Sequence, residues 1–78
     1  MRYLFHVVGR ERLYVDDIGE QFSSPEKAEA YAATIASELA SADNDYVGFE
    51  VQVVDALARE LARVPIAPSP AGASTERG

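Results

Sequence analysis

Arg2-Tyr3-Leu4-Phe5-His6-Val7-Val8, then Gly9-Arg10-Glu11-Arg12, then Leu13-Tyr14-Val15 is the stretch that decides the fold of this chain. Aromatic and β-branched residues fit a pleated surface. Tyr3, Phe5 and Val7 alternate with Leu4, His6 and Val8, and both sets are largely apolar, so the first strand is expected to be central and covered, at least in part, on both faces. The four residues from Gly9 to Arg12 carry the polarity of a hairpin connection with glycine at its start, and Leu13-Tyr14-Val15 is a short second strand. Asp16-Asp17-Ile18-Gly19 then forms a turn in which Gly19 supplies a positive φ.

Downstream of this hairpin, Ser24-Pro25 marks a helix start. The serine hydroxyl accepts from first-turn amides, proline at the first helical position gives up an amide that had no partner, and Glu26 suits the positive end of the helix dipole. Ala28, Tyr31, Ala32, Ile35, Leu39 and Ala42 form one stripe of that helix, with Lys27, Thr34, Glu38 and Ser41 opposite. The spacing predicts a thin, alanine-rich contact with a sheet and an end near Ala42. The loop Asp43-Asn44-Asp45 follows, with Asn44 suited to the left-handed conformation. Val47, Phe49, Val51 and Val53 alternate with Gly48, Glu50 and Gln52, which predicts a strand with one wet face.

Residues 56 to 63 support two readings. Leu57, Leu61 and Val64 have helical spacing among good helix formers, whereas Ala62, Val64 and Ile66 alternate with Leu61 and Arg63 and end at a proline, as an edge strand does. From Pro65 the run Pro-Ile-Ala-Pro-Ser-Pro-Ala-Gly-Ala-Ser-Thr-Glu-Arg-Gly offers too little apolar burial to offset its ordering entropy. One domain is expected over residues 1–66, with a disordered tail over 67–78.

The Arg-Tyr-Leu-Phe-His-Val opening, the Asp-Asp-Ile-Gly-Glu-Gln-Phe stretch, the alanine-rich helix, the Phe-Glu-Val-Gln-Val-Val-Asp strand and the closing Arg-Val-Pro-Ile together resemble a family of short bacterial proteins classed only as a domain of unknown function. The resemblance spans about residues 2–66. It implies an α+β fold, β-β-α-β-β, with two antiparallel hairpins forming a small sheet packed on one helix. It also implies an acidic, glycine-containing hairpin turn where this chain has Asp55-Ala56-Leu57-Ala58-Arg59, without the glycine. It implies no activity.

Composition narrows the function classes. A chain of 78 residues has a small core and little room for a deep active site. The chain has no cysteine, which excludes disulfides and thiolate zinc sites and favours a reducing, cytoplasmic setting. No stretch approaches the ~20 apolar residues of a membrane span. Net charge is −6, and it is concentrated between residues 16 and 55, where ten acids face only Lys27. A field of that sign disfavours nonspecific contact with nucleic-acid backbones and anionic lipid.

Individual residues give little chemistry. His6 is the single histidine, so it can build neither a nucleophile triad nor an ordinary zinc site. Asp16, Asp17 and Glu20 have a spacing that could gather around a cation, but it equally describes a turn. Asp43-Asn44-Asp45 fails as a calcium loop, because the positions of its fifth and twelfth ligands would be Val47 and Val54. No catalytic, cofactor or metal residues are expected. Arginines and aromatics interleave at Arg2-Tyr3-Leu4-Phe5 and Arg12-Leu13-Tyr14, which admits single-stranded nucleic-acid or small-ligand binding as the alternative. With one helix on one sheet face, the other face would display Leu4, His6, Val8, Tyr14 and Val54, a set too apolar to stay bare as one patch. A non-enzymatic interaction module, associating with itself or a protein partner through that face or a strand edge, is therefore the favoured expectation.

Overall fold

A computed structural model describes residues 1–42 and 44–67. The opening run forms β1 (Arg2–Val8), and the chain continues through β2 (Leu13–Tyr14), β3 (Glu20–Gln21), α1 (Pro25–Ala42), a 3-10 turn over Asn44–Tyr46, β4 (Glu50–Asp55) and β5 (Glu60–Pro65). All pairings are antiparallel. The sheet order is β2-β1-β4-β5, with β3 also on β1. The α+β class and the β-β-α-β-β order hold, with β3 as an added short strand ahead of the helix that the sequence did not announce.

Hairpin closure is local. The Gly9 amide donates to the Arg12 carbonyl at 2.8 Å. Glycine at position 9 lets the Phe49 ring lie against the turn, because a Cβ there would stand 2.5 Å from its ring carbons and push it aside. The free edge of β1 is then shared: β2 pairs with Val7 and Val8, while β3 pairs with Arg2 and Tyr3. Between these two-residue strands the Asp16 carboxylate replaces a neighbouring backbone, its Oδ2 accepting from the Phe5 amide at 3.1 Å.

Ser24 caps the helix as the sequence requires, its Oγ accepting from the Lys27 amide at 3.3 Å. The buried row is Ala28, Ala32, Ala36 and Ala40, one residue type repeating every four positions. Ile35 and Leu39 flank it, whereas Tyr31 and Ala42 are exposed. The expected stripe is thus shifted toward Ala36 and Ala40. Alanine rows let α1 come close to β4 and β5, the strands it packs against. Volume over β1 comes instead from rings: Phe5 meets Phe22 and Tyr31 edge-on at 6.0 and 5.1 Å between centroids. Among the buried residues of this layer, the large side chains come from the sheet side and the small ones from the helix. The core comprises Tyr3, Phe5, Val51, Val53, Ile66 and the four alanines.

Two boundaries move. The strand expected from Val47 begins at Glu50, because Asn44–Tyr46 and the positive-φ Gly48 turn the chain first. Residues 56–63 are not helical. Asp55 fixes a tight hairpin there, its backbone N–H donating to the Arg59 carbonyl and its carbonyl accepting from Ala58, both at 2.9 Å. Ala58 takes φ 64°, the conformation a glycine adopts at no steric cost. β5 spends one extra residue, Leu61, across the Val53–Val54 step, a bulge that lets Leu61 and Ala62 both pack toward the core. Ala67 is exposed; the remainder of the expected tail, 68–78, lies outside the described residues, as does Asp43.

Candidate functional site

Register decides which residues share the sheet face turned away from α1. Tyr3, Phe5 and Val7 lie across from Asp55, Val53 and Val51 on the helix side, while Leu4, His6 and Val8 lie across from Val54, Gln52 and Glu50 on the other. Leu4, His6, Val8 and Val54 therefore do share one face. Tyr14 does not. It pairs with Val7, which carries it to the helix side, where its ring stacks on Phe49 at 6.4 Å and meets Tyr46 edge-on at 6.0 Å. Leu13 pairs with Val8 and takes the place expected of Tyr14, at 58% exposure. A two-residue strand gives no alternation long enough to assign faces from sequence, and only its register with β1 settles the matter.

This face is two halves with different chemistry. Across β4 and β5, the Gln52 side-chain amide donates to Glu60 at 2.8 Å, and Arg63 donates to Glu60 at 3.1 Å and to Glu50 at 3.0 Å. Both Arg63 ion pairs are exposed, so they keep this half wet and add little stability. Hydrogen bonds from Gln52 first and Arg63 second hold the Glu60 carboxyl below the ordinary glutamate range. Across β1 and β2 the residues are Leu4, His6, Val8 and Leu13, joined by Val54 from β4. Val54 is only 7% exposed.

The connecting segment covers part of that apolar half. The Asp16 amide donates to His6 Nδ1 at 3.1 Å, which ties the imidazole to the connecting segment. Asp16 Oδ1 accepts from Ile18 and Gly19. Gly19, with φ 77°, comes so close that a Cβ would lie 2.6 Å from the Tyr3 carbonyl and 2.8 Å from a Leu4 methyl. Burial alone would raise the Asp16 carboxyl, but amides of Gly19, Phe5 and Ile18, helped by His6, bring it below the usual range. Asp16 is thereby used up as a structural acceptor, and among the described residues no three His, Cys, Asp or Glu side chains converge as a metal site would need. Val15 and Ile18, 63% and 75% exposed, lie in the segment bordering this half.

Tyr3 and Phe5 are buried at 3% and 6% exposure under the helix layer, so neither of these two rings is open for a nucleobase to stack on. Arg2 turns back to the Ile18 carbonyl at 2.9 Å. Sequence reasoning missed a second feature at the β1–β2 turn: an open cleft of about 500 Å³ lined by Arg10, Glu11, Arg12, Asp45 and Phe49. The polar Gly9–Arg12 turn signalled a loop, but nothing local showed that Asp45 and Phe49 come to its side. Among the described residues, no helix is long and apolar enough to cross a membrane.

The sequence model of a family described as a domain of unknown function (DUF6894) matches residues 2–67. No curated protein and no solved structure matches the chain. The chain belongs to that family.

Proposed function

We propose that this member of a domain family of unknown function is a non-catalytic interaction module of the cytoplasm, which pairs with a second copy of itself through the β1–β2 half of the sheet face turned away from α1. The observation that carries the reading is the run of apolar side chains there, with Leu4 and Val8 half-buried above the buried Val54 and Leu13 exposed beside Val8. The contact would be small, because Gln52, Glu60 and Arg63 keep the other half hydrated.

Edge pairing is the weaker route. Ile66 donates to the Phe49 carbonyl and accepts from Gly48, so it faces β4. By alternation the backbone nitrogens of Pro65 and Arg63 face outward. Proline there removes a donor from the free edge, and the Leu61 bulge bends it, both of which oppose strand addition. The other edge consists of two-residue strands and a carboxylate.

Light scattering on a size-exclusion column, over a dilution series at near-physiological salt, tests the proposal. Twice the chain mass for the wild type and a single mass for Leu13→Asp is the expected result. Leu13 is the right position to change, since charging Leu4 or the buried Val54 would also disturb the fold. A monomer at every concentration would exclude self-pairing and turn the search to a different protein partner.

A further inference from the structure

We propose that the cleft beside the β1–β2 turn is a binding site for a zwitterionic small molecule with an apolar side chain, of the class of a free aromatic amino acid. Its wall carries Arg10, Glu11, Arg12 and Asp45, and its remaining lining residue is Phe49. Two cations and two carboxylates sum to no charge. The Phe49 ring is held by Tyr14, stacked at 26° between planes, and by Tyr46, edge-on at 5.8 Å. Gly9 lies directly against that ring and leaves no room for its displacement toward the turn. The aromatic wall is thus a fixed surface of the kind that small-ligand sites use.

The charges choose among ligand classes. Arg12 donates to the Tyr14 hydroxyl at 3.3 Å, a contact that orients the guanidinium beside the rings, and Asp45 also attracts it. A simple anion placed on Arg12 would set its charge against Asp45 and Glu11, inside a protein that already carries −6. A simple cation would meet Arg10 and Arg12. A zwitterion meets neither penalty: its carboxylate takes the guanidinium fork of Arg10 or Arg12, its ammonium faces Glu11 and Asp45, and its side chain lies on Phe49. Arg10 is exposed and free for this purpose, with no hydrogen bond or ion pair to another described residue. Both the cleft and this assignment are independent of self-pairing, since they lie at the turn rather than on the sheet face.

Titration of the isotopically labelled protein with L-phenylalanine, followed by amide chemical shifts, tests the site. The expected result is saturable shifts at Gly9, Arg10, Arg12 and Phe49 with a dissociation constant on the order of 1 mM, as an open cleft and so small a ligand allow. Phenylpropanoate, which lacks the ammonium, and phenethylamine, which lacks the carboxylate, are expected to bind at least tenfold more weakly. Arg10→Ala and Glu11→Gln should each weaken L-phenylalanine at least fivefold, while Lys27→Ala, on the helix, leaves it unchanged. Both cleft positions are exposed turn residues, so the variants keep the fold and the unliganded spectrum reports it. Absence of saturable shifts at 20-fold the expected constant, equal binding of either half-ligand, or unchanged binding by Arg10→Ala would each overturn the assignment.

Discussion

Ala58 is the residue where the chain bears a conformational cost that can be removed. At φ 64° an alanine sits in the left-handed region, which costs an L-residue about 1–2 kcal/mol, part of it recovered through the smaller entropy of its unfolded state. Ala58→Gly is expected to stabilise the domain by about 0.5–1 kcal/mol and to raise the melting midpoint by a few degrees. A lower midpoint would mean that the turn is not the one described. Asp55 beside it holds the turn together. Its Oδ1 accepts from the Leu57 and Arg59 amides and its Oδ2 from Arg59 Nε, all at 2.9 Å, although the residue is only 2% exposed. The Arg59 amide chiefly, opposed by burial and reinforced by Leu57 and the Arg59 guanidinium, sets its carboxyl below the ordinary range. Asp16 is depressed as well, its amide donors outweighing the burial that opposes them. A depressed carboxyl contributes stability that is fully present above the unfolded value of about 3.9 and is lost as pH falls through the folded value. Denaturant midpoints should therefore be flat from pH 7 to about 5 and decline below about 4. In Asp55→Asn the midpoint at pH 7 should be lower and that decline shallower, and an unchanged acid limb would show that the carboxylate is not linked to folding.

At the scale of elements, caps and edges matter most. Ser24 Oγ holds the Lys27 amide at the start of an 18-residue helix, and Ser24→Ala should cost about 1 kcal/mol, read by denaturant unfolding. Pro65 acts on association instead. Because its nitrogen faces the free side of β5, Pro65→Thr restores an edge donor, and the expected outcome is concentration-dependent growth of light scattering beyond a dimer. The same scale shows what was legible. Ser24-Pro25 fixed the helix start because capping is local chemistry, and the period-2 run from Val47 found β4 but began it three residues early. Residues 56–63 stayed open between helix and strand, since their propensities are helical. What excluded the helix was the Asp55 carboxylate binding the amides of Leu57 and Arg59, a side-chain effect that periodicity does not register.

For the whole molecule, charge opposes self-pairing while apolar contact favours it. Two chains of −6 repel each other, so raising salt from 50 to 500 mM should tighten the proposed dimer, because the screening length shrinks several-fold over that range. Sedimentation equilibrium at the two salts measures it. A dimer that weakens with salt would point to ion pairs such as those of Arg63 rather than to Leu4, Val8 and Leu13.

The first hairpin, the helix start, the Gly19 turn and the largely apolar first strand were determined by the sequence alone, because each rests on residues within a few positions of one another. The tertiary structure decided the rest. Tyr14 faces the helix side because it pairs with Val7, and Asp16 is spent on the Phe5 and Gly19 amides because two short strands leave a gap beside β1. Asp45 and Phe49 reach Arg10 and Arg12 only because β4 lies beside β1. These are contacts between residues far apart in the chain, set by strand register and packing, which side-chain pattern does not encode locally.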